Sequence, residues 1–313
     1  MKKEKRKIKT LTTVLLVISF LALFSLGAET PGCDNKDQGA VFNTTALYLN
    51  FVDQAPPSSV NLGIPFQIYL RTENKGEFDI APGAVKFYLT GIGNNLRNVN
   101  PILSNQVFLN KQTGQQEAGF EIIKFSENAE PSIVISNPFN FTMRADACYN
   151  YITQTQATIC IGKGDSTCPI TGEKITTGSN SNAPIQVTSL TEQVQGNKLY
   201  ISFTITNKGN GDVYYSDMNC DKFFGQDSNE RNRQILKKNY VEVSVDSGTE
   251  QDLTCNLQNP AGGLSTTNSG MAPIGTKVTC SKIIGQETHS SPLNINLGYR
   301  YIHGVSKVIT VLP

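Results

Sequence analysis

Phe139-Asn-Phe-Thr-Met-Arg-Ala-Asp-Ala-Cys148-Tyr149-Asn-Tyr151-Ile-Thr-Gln-Thr-Gln-Ala-Thr-Ile-Cys160-Ile161 alternates apolar or aromatic with polar residues on both sides of a polar centre. A period of two marks a β-strand. The polar middle predicts two antiparallel strands joined by a tight connection. The shape returns as Leu293-Asn-Ile-Asn-Leu-Gly-Tyr299-Arg-Tyr301-Ile-His-Gly-Val-Ser-Lys-Val-Ile-Thr-Val311. In both copies a Tyr-x-Tyr-Ile ends the first expected strand. An apolar residue closes the second strand ten positions after the second Tyr.

Working outward, the stretches before each copy also match. Pro65-Phe-Gln-Ile-Tyr-Leu-Arg71 alternates and runs into Asn74-Lys75-Gly76. Lys198-Leu-Tyr-Ile-Ser-Phe-Thr-Ile-Thr206 runs into Asn207-Lys208-Gly209, 133 positions on. The glycine of each turn is expected to take a positive φ. A repeat this long means duplicated domains, since solenoid units are shorter. Further strands are expected at 46–52, 84–90, 119–125, 132–135, 184–190, 239–245, 252–257 and 276–284. Residues 91–117 read as an irregular insertion, and 216–238 as a charged loop with at most one short helix. Beyond the N-terminal segment no stretch sustains a helical period. The expected fold is all-β: two tandem β-sandwiches, 41–162 and 184–313, joined by a Gly/Ser/Thr/Asn linker at 163–183.

The amino terminus reads as an address. Residues 1–10 carry six basic side chains and one acid, and an apolar run from Leu11 to Ala28 follows. That is a positive n-region before an h-region, with the basic end left in the cytoplasm. Eighteen helical residues span roughly 27 Å, about the thickness of a bilayer core. Residues 8–28 are therefore a signal or anchor helix, residues 1–40 include its short tether, and the membrane is the first expected partner. Cys33, after Gly32, stands where a lipoprotein-type start would carry lipid, although Thr30 and Pro31 depart from the usual box; the alternative is a plain cysteine in the tether. Without residues 1–28, 21 basic and 25 acidic side chains remain, a net −4. No basic cluster exists to bind a phosphate backbone, which argues against nucleic acid.

Cys33 apart, six cysteines remain: Cys148, Cys160, Cys168, Cys220, Cys255 and Cys280. None forms Cys-x2-Cys, so zinc is not expected. An even set in an exported chain reads as disulfides, with separate buried thiols as the alternative. Cys148 and Cys160 are equidistant from Gln154 on the expected hairpin and pair first. Cys255 and Cys280, in short strands either side of a Gly/Pro-rich loop, pair next. Cys168 with Cys220 is left by elimination.

The apolar-x-Phe-x-Ile-x-Leu/Ile-x-x-x-Asn-Lys-Gly pattern resembles the second strand of CARDB-like and other immunoglobulin-like surface modules. Asp53–Val60, Asn74–Phe78, Ala147–Tyr151 through Ile161, Ala183–Val187, Thr206–Val213 and Pro292–Thr310 are similar to an uncharacterised group of exported archaeal proteins, often with a lipoprotein-type start. The resemblance implies fold and location, and it transfers no catalytic residue.

Candidate chemistry is sparse. His289 and His303 are the two histidines, and both read as surface residues in loops or turns. No Gly-x-Ser-x-Gly elbow is present, and Gly91-Ile-Gly93 precedes no helix. Asp34, Asp37, Asp217 and Asp221 lack the spacing of a calcium loop. Tyr149, Tyr151, Tyr299 and Tyr301 read as packing residues whose hydroxyls meet backbone, with a ligand-stacking face as the alternative. Asn43-Thr-Thr45 and Asn140-Phe-Thr142 are N-glycosylation acceptors. Neither catalytic nor metal residues nor a cofactor are assigned. The expected role is a non-enzymatic, membrane-anchored cell-surface protein for adhesion, envelope structure or partner binding. A carbohydrate-binding or carbohydrate-active surface protein is the alternative, because paired carboxylates from distant strands escape a linear reading.

Overall fold

Thr153 and Thr155, at the polar centre of the opening stretch, do not turn the chain. Both are buried. Thr153 Oγ1 donates to the Ile185 carbonyl at 2.5 Å and lies 3.0 Å from the Tyr299 hydroxyl. Thr155 Oγ1 donates to Asn180 Oδ1 at 2.7 Å. With partners inside, the alternation continues and Phe139–Ile161 is a single 23-residue strand. His289–Leu312 is likewise one strand of 24 residues. The two expected hairpins are thus two long strands. They pair with each other, antiparallel, from Phe139↔Val311 to Ile161↔His289. At about 3.4 Å per residue this ladder runs roughly 75 Å.

The structure is a computed structural model that describes residues 44–112, 117–248, 253–258 and 267–313. In chain order the strands of the first half are β1 (Leu47–Phe51), β2 (Ser59–Asn61), β3 (Phe66–Asn74), β4 (Val85–Thr90), β5 (Leu96–Arg97), β6 (Ile102–Ser104), β7 (Phe120–Pro131) and β8 (Phe139–Ile161). Those of the second half are β9 (Ile185–Gln195), β10 (Lys198–Asn207), β11 (Asp212–Tyr214), β12 (Tyr240–Asp246), β13 (Thr254–Cys255), β14 (Ser269–Pro273), β15 (Lys277–Ile283) and β16 (His289–Leu312). The all-β expectation holds. Residues 132–135 are not a separate strand; β7 ends at Pro131.

Three sheets form two layers. The shared sheet has the order β14-β12-β16-β8-β4-β6. Over its inner face lie two four-stranded sheets, β1-β3-β7-β5 and β9-β10-β15-β13. These orders are the same programme read twice: β1, β3 and β7 match β9, β10 and β15, while β4 and β6 match β12 and β14. The ladder centre is Asn150↔Arg300, and the register maps β8 onto β16 about that point. β4 pairs with the first part of β8 and β12 with the first part of β16. The remaining part of each long strand extends the other half's sheet. Residues Phe42–Pro313 accordingly form one compact unit, and the halves interlock instead of following one another as separate bodies. Residues expected as a linker run along the free edge of β8: Gln156 N donates to the Ser179 carbonyl and Ser181 N to the Gln154 carbonyl, both at 2.8 Å. A buried ion pair, Lys174 Nζ to Glu192 Oε2 at 3.0 Å, fixes the same segment.

The core follows the alternation. Ile68, Leu70, Phe87 and Phe125 fill one half, and Ile201, Phe203, Val243 and Leu297 the other. Tyr149, Tyr151, Tyr299 and Tyr301 meet where the halves join. The Asn-Lys-Gly turns hold them in place. Asn74 Nδ2 donates to the Phe78 and Leu109 carbonyls, Asn207 Nδ2 to the Gly211 carbonyl, and each Asn Oδ1 accepts from the Gly amide two residues on. Neither glycine has a positive φ. Their requirement is space: a Cβ at Gly76 would strike the Tyr151 hydroxyl, and one at Gly209 the Tyr301 hydroxyl. Tyr301 Oη accepts from Gly211 N at 2.7 Å. Overpacking a tight core contact costs about 1–3 kcal/mol. Gly209→Ala should therefore lower the unfolding free energy from urea titration by that amount, whereas Gly285→Ala, at a position with open space around it, should leave it within ~0.5 kcal/mol. Equal effects would contradict the packing role.

Candidate functional site

Even-numbered side chains of β8 and β16 point away from the core, and most meet solvent. On one side of the ladder centre, at Cys148 and Ile302, they are covered instead. The stretch 216–238 forms two short helices, Cys220–Phe224 and Ser228–Ile235, one more than expected. Asn219 caps the first by accepting from Lys222 N. Asp227 caps the second by accepting from Asn229 N and Glu230 N. Gln234 Oε1 accepts from Asn219 N at 2.9 Å and ties the two together. Together they make a cap on the outer face of the shared sheet.

Beneath the cap is a second, smaller apolar cluster: Tyr88, Cys148, Tyr214, Met218, Cys220 and Ile302, with Phe223 and Phe224 against it. Tyr88 and Phe224 stack with centroids 4.1 Å apart. Tyr88 Oη donates to Asp221 Oδ1 at 2.6 Å, and Lys86 pairs with the same carboxylate. Burial, then the Asp221 bond, push the Tyr88 hydroxyl up. Lys86 first and Tyr88 second hold Asp221 below the usual carboxylate range. Arg300 reaches up from the ladder centre, its guanidinium donating to Cys220 Sγ at 3.4 Å and the Ser216 carbonyl at 3.3 Å. Crevices of about 190 and 270 Å³ flank the cap. Tyr215, Tyr240, Met271 and Gln258 line the larger, beside the pair Lys237 Nζ–Asp217 Oδ1 at 3.1 Å.

All six cysteines are disulfide-bonded, but two of the three expected pairs are corrected. The bonds are Cys148–Cys220, Cys160–Cys168 and Cys255–Cys280. Cys148 and Cys160 cannot meet, because twelve residues of continuous strand hold them about 40 Å apart. Cys148 instead pins the cap, and at a separation of 72 residues such a link is worth roughly 4 kcal/mol. Cys160 closes a short loop with Cys168, which leaves no partnership between Cys168 and Cys220. Cys255 and Cys280 are directly opposed in adjacent strands, as expected.

Other sequence candidates are placed as follows. Asn140 is exposed on β8, and His289 is exposed. Asp217 and Asp221 are separate ion-pair partners in the cap. Among the described residues no group of His, Cys, Asp and Glu is arranged to hold a metal, and no helix is long and apolar enough to cross a membrane. Residues 8–28, Cys33, Asp34, Asp37 and Asn43 lie outside the described residues. The four tyrosines are buried and present no stacking face to solvent. Sequence reading missed Tyr88, Lys86 and Arg300, whose importance arises only when the cap folds over them. The adjacent Phe223-Phe224 pair beside Cys220 was the available signal.

His303, expected in a surface turn, is buried in β16. Its ring packs against Tyr149 and Tyr301, with Nδ1 3.5 Å from the Tyr149 hydroxyl. Burial lowers its pKa from 6.5 to about 4; the Leu47 backbone bond opposes this and nearby Arg144 adds to it. The fold therefore holds the neutral ring while the unfolded chain protonates first. Its contribution is complete above pH 6.5 and is lost as pH falls towards 4, about 1.4 kcal/mol per pH unit. Urea titrations from pH 7 to 4 should show His303→Phe losing roughly 3 kcal/mol less than the native chain. Parallel curves would contradict a buried neutral imidazole.

No family model matches the chain, and no curated protein matches it. Among solved structures the chain is similar, at 10% identity, to a chain from the work entitled "Chaperone-tip adhesin complex is vital for synergistic activation of CFA/I fimbriae biogenesis". That match covers 87% of this chain and 82% of the other with a TM-score of 0.10, which bears on neither fold nor function.

Proposed function

We propose that the chain is a non-enzymatic, membrane-tethered cell-surface protein that binds a partner on the cap side of its shared sheet. The observation that carries this reading is the Cys148–Cys220 bond. It holds a polar, charged insertion on a face that the core does not need covered. Disulfides persist in oxidising surroundings, and three of them support a location outside the cytoplasm. The basic-apolar start supports export with the N-terminus inside. In this reading residues 8–28 are the signal or anchor, and Cys33 is the lipid attachment point of an archaeal lipoprotein-type start. Each half is a CARDB-like, immunoglobulin-like sandwich that completes its sheet with the other's strand. Function belongs to grafted sites more than to such scaffolds, and the cap with its two crevices is the grafted element here.

Fractionation of cells producing the tagged full chain, with a membrane-impermeant amine label, tests the reading. The chain should be labelled on intact cells and recovered with the envelope, with Cys148, Cys160, Cys168, Cys220, Cys255 and Cys280 oxidised. A soluble cytoplasmic protein with reduced thiols would end it.

A further inference from the structure

The correspondence between the halves sets two outer faces side by side. In the first half the rows across β4, β8 and β16 are Lys86–Cys148–Ile302, Tyr88–Asp146–Gly304 and Thr90–Arg144–Ser306. In the second half the matching rows across β12, β16 and β8 are Glu242–Gly298–Ile152, Ser244–Asn296–Gln154 and Asp246–Asn294–Gln156. Among the described residues the cap covers Lys86, Tyr88, Cys148 and Ile302 of the first set, whereas Arg144 and Ser306 of its third row are exposed. Ile302 is 7% exposed, while its counterpart Ile152 is 44% exposed. Tyr240 stands on the same face as Glu242, and Met271 is directly opposite Glu242. The bare rows therefore lead straight into the 270 Å³ crevice lined by Tyr215, Tyr240, Met271 and Gln258.

We propose that this crevice and the adjoining amide rows form a binding site for an uncharged oligosaccharide, an inference that rests on the binding role proposed above. Tyrosine combines a flat apolar ring with a polar tip, which suits the C–H face and hydroxyl rim of a sugar ring. Each Asn or Gln amide both donates and accepts, as each sugar hydroxyl does. Four of them, Asn294, Asn296, Gln154 and Gln156, share one rigid sheet face. Gln156 Nε2 already donates to Asn294 Oδ1 at 3.2 Å, and Ser216 Oγ to Glu242 Oε2 at 3.1 Å. Such order in advance lowers the entropy cost of binding.

Charge narrows the occupant. Within the rows the ionisable side chains are Glu242 and Asp246, both acidic, and in the crevice Lys237 is paired with Asp217. A polyanion is repelled. A protein partner favours a desolvated aromatic or Arg core; in the rows the large apolar side chain is Ile152 alone, and the exposed Leu236 stands at the crevice rim. A second copy's cap cannot dock as the native cap does, since Asp221 would meet Glu242 and Ser244 in place of Lys86 and Tyr88.

Affinity electrophoresis of the oxidised full chain through gels containing mannan, dextran, β-glucan or, as polyanion, alginate tests the site. Retardation is expected with at least one neutral polysaccharide and not with alginate. Tyr240→Ala and Asn296→Ala should each weaken it roughly tenfold or more, while Ser306→Ala, exposed on the opposite half, leaves it unchanged. Should Tyr240→Ala fail to fold, as judged by its melting curve, the solvent-facing Asn296→Ala decides. No retardation by any neutral polysaccharide, retardation by alginate alone, or indifference to both substitutions would overturn the proposal. A chain found on the cell surface that binds none of the four overturns this inference alone. A cytoplasmic, reduced chain overturns the role on which it rests.

Discussion

Backbone pairing between β8 and β16 along their whole length is the constraint on which the rest depends. A strand pair presents alternate residues to opposite faces, so one register fixes two surfaces at once. Here the inner surface receives Tyr149, Tyr151, Tyr299 and Tyr301 at the ladder centre. The outer surface receives Cys148, Ile302 and Arg300, the floor on which the cap folds. A slip of one residue would turn the tyrosines to solvent and Cys148 to the core. Cross-strand contacts guard the register: Gly304 faces Asp146 so closely that a Cβ would strike its carboxylate and the Ala145 carbonyl.

The matching strand order of the two halves lets one ladder serve both. The same turn, Asn-Lys-Gly, positions the same tyrosine in each, and the outer sheets repeat their strand order. Departures from the repeat are then informative. Cys148, Lys86 and Tyr88 are matched by Gly298, Glu242 and Ser244. The first set holds a cap by a disulfide, an ion pair and a stacked ring. The second is small, acidic and polar. Packing accounts for the shared features and leaves that asymmetry over.

Much of the scaffold was legible because period-two alternation is a local signal. β3 and β10 fall where the alternation of Phe66, Ile68 and Leu70 and of Leu199, Ile201 and Phe203 places them, and β12 and β15 lie close to the expected 239–245 and 276–284. What escaped was non-local. Thr153-Gln-Thr-Gln156 looks like a turn until Ile185, Asn180 and Tyr299 supply partners for its inward hydroxyls. Once that stretch is straight, Cys148 and Cys160 separate and the disulfide pattern changes with them. His303 reads as a turn residue for the same cause. The cap was hidden because its two helices are short and mostly polar, stabilised by Asn219, Asp227 and the sheet beneath rather than by an apolar stripe of their own.

Mass spectrometry of a non-reducing digest of the purified chain tests the continuous ladder most directly. A straight β8 predicts peptides joining Cys148 to Cys220, Cys160 to Cys168 and Cys255 to Cys280. A peptide joining Cys148 to Cys160 would require the chain to fold back between them, and would contradict the account.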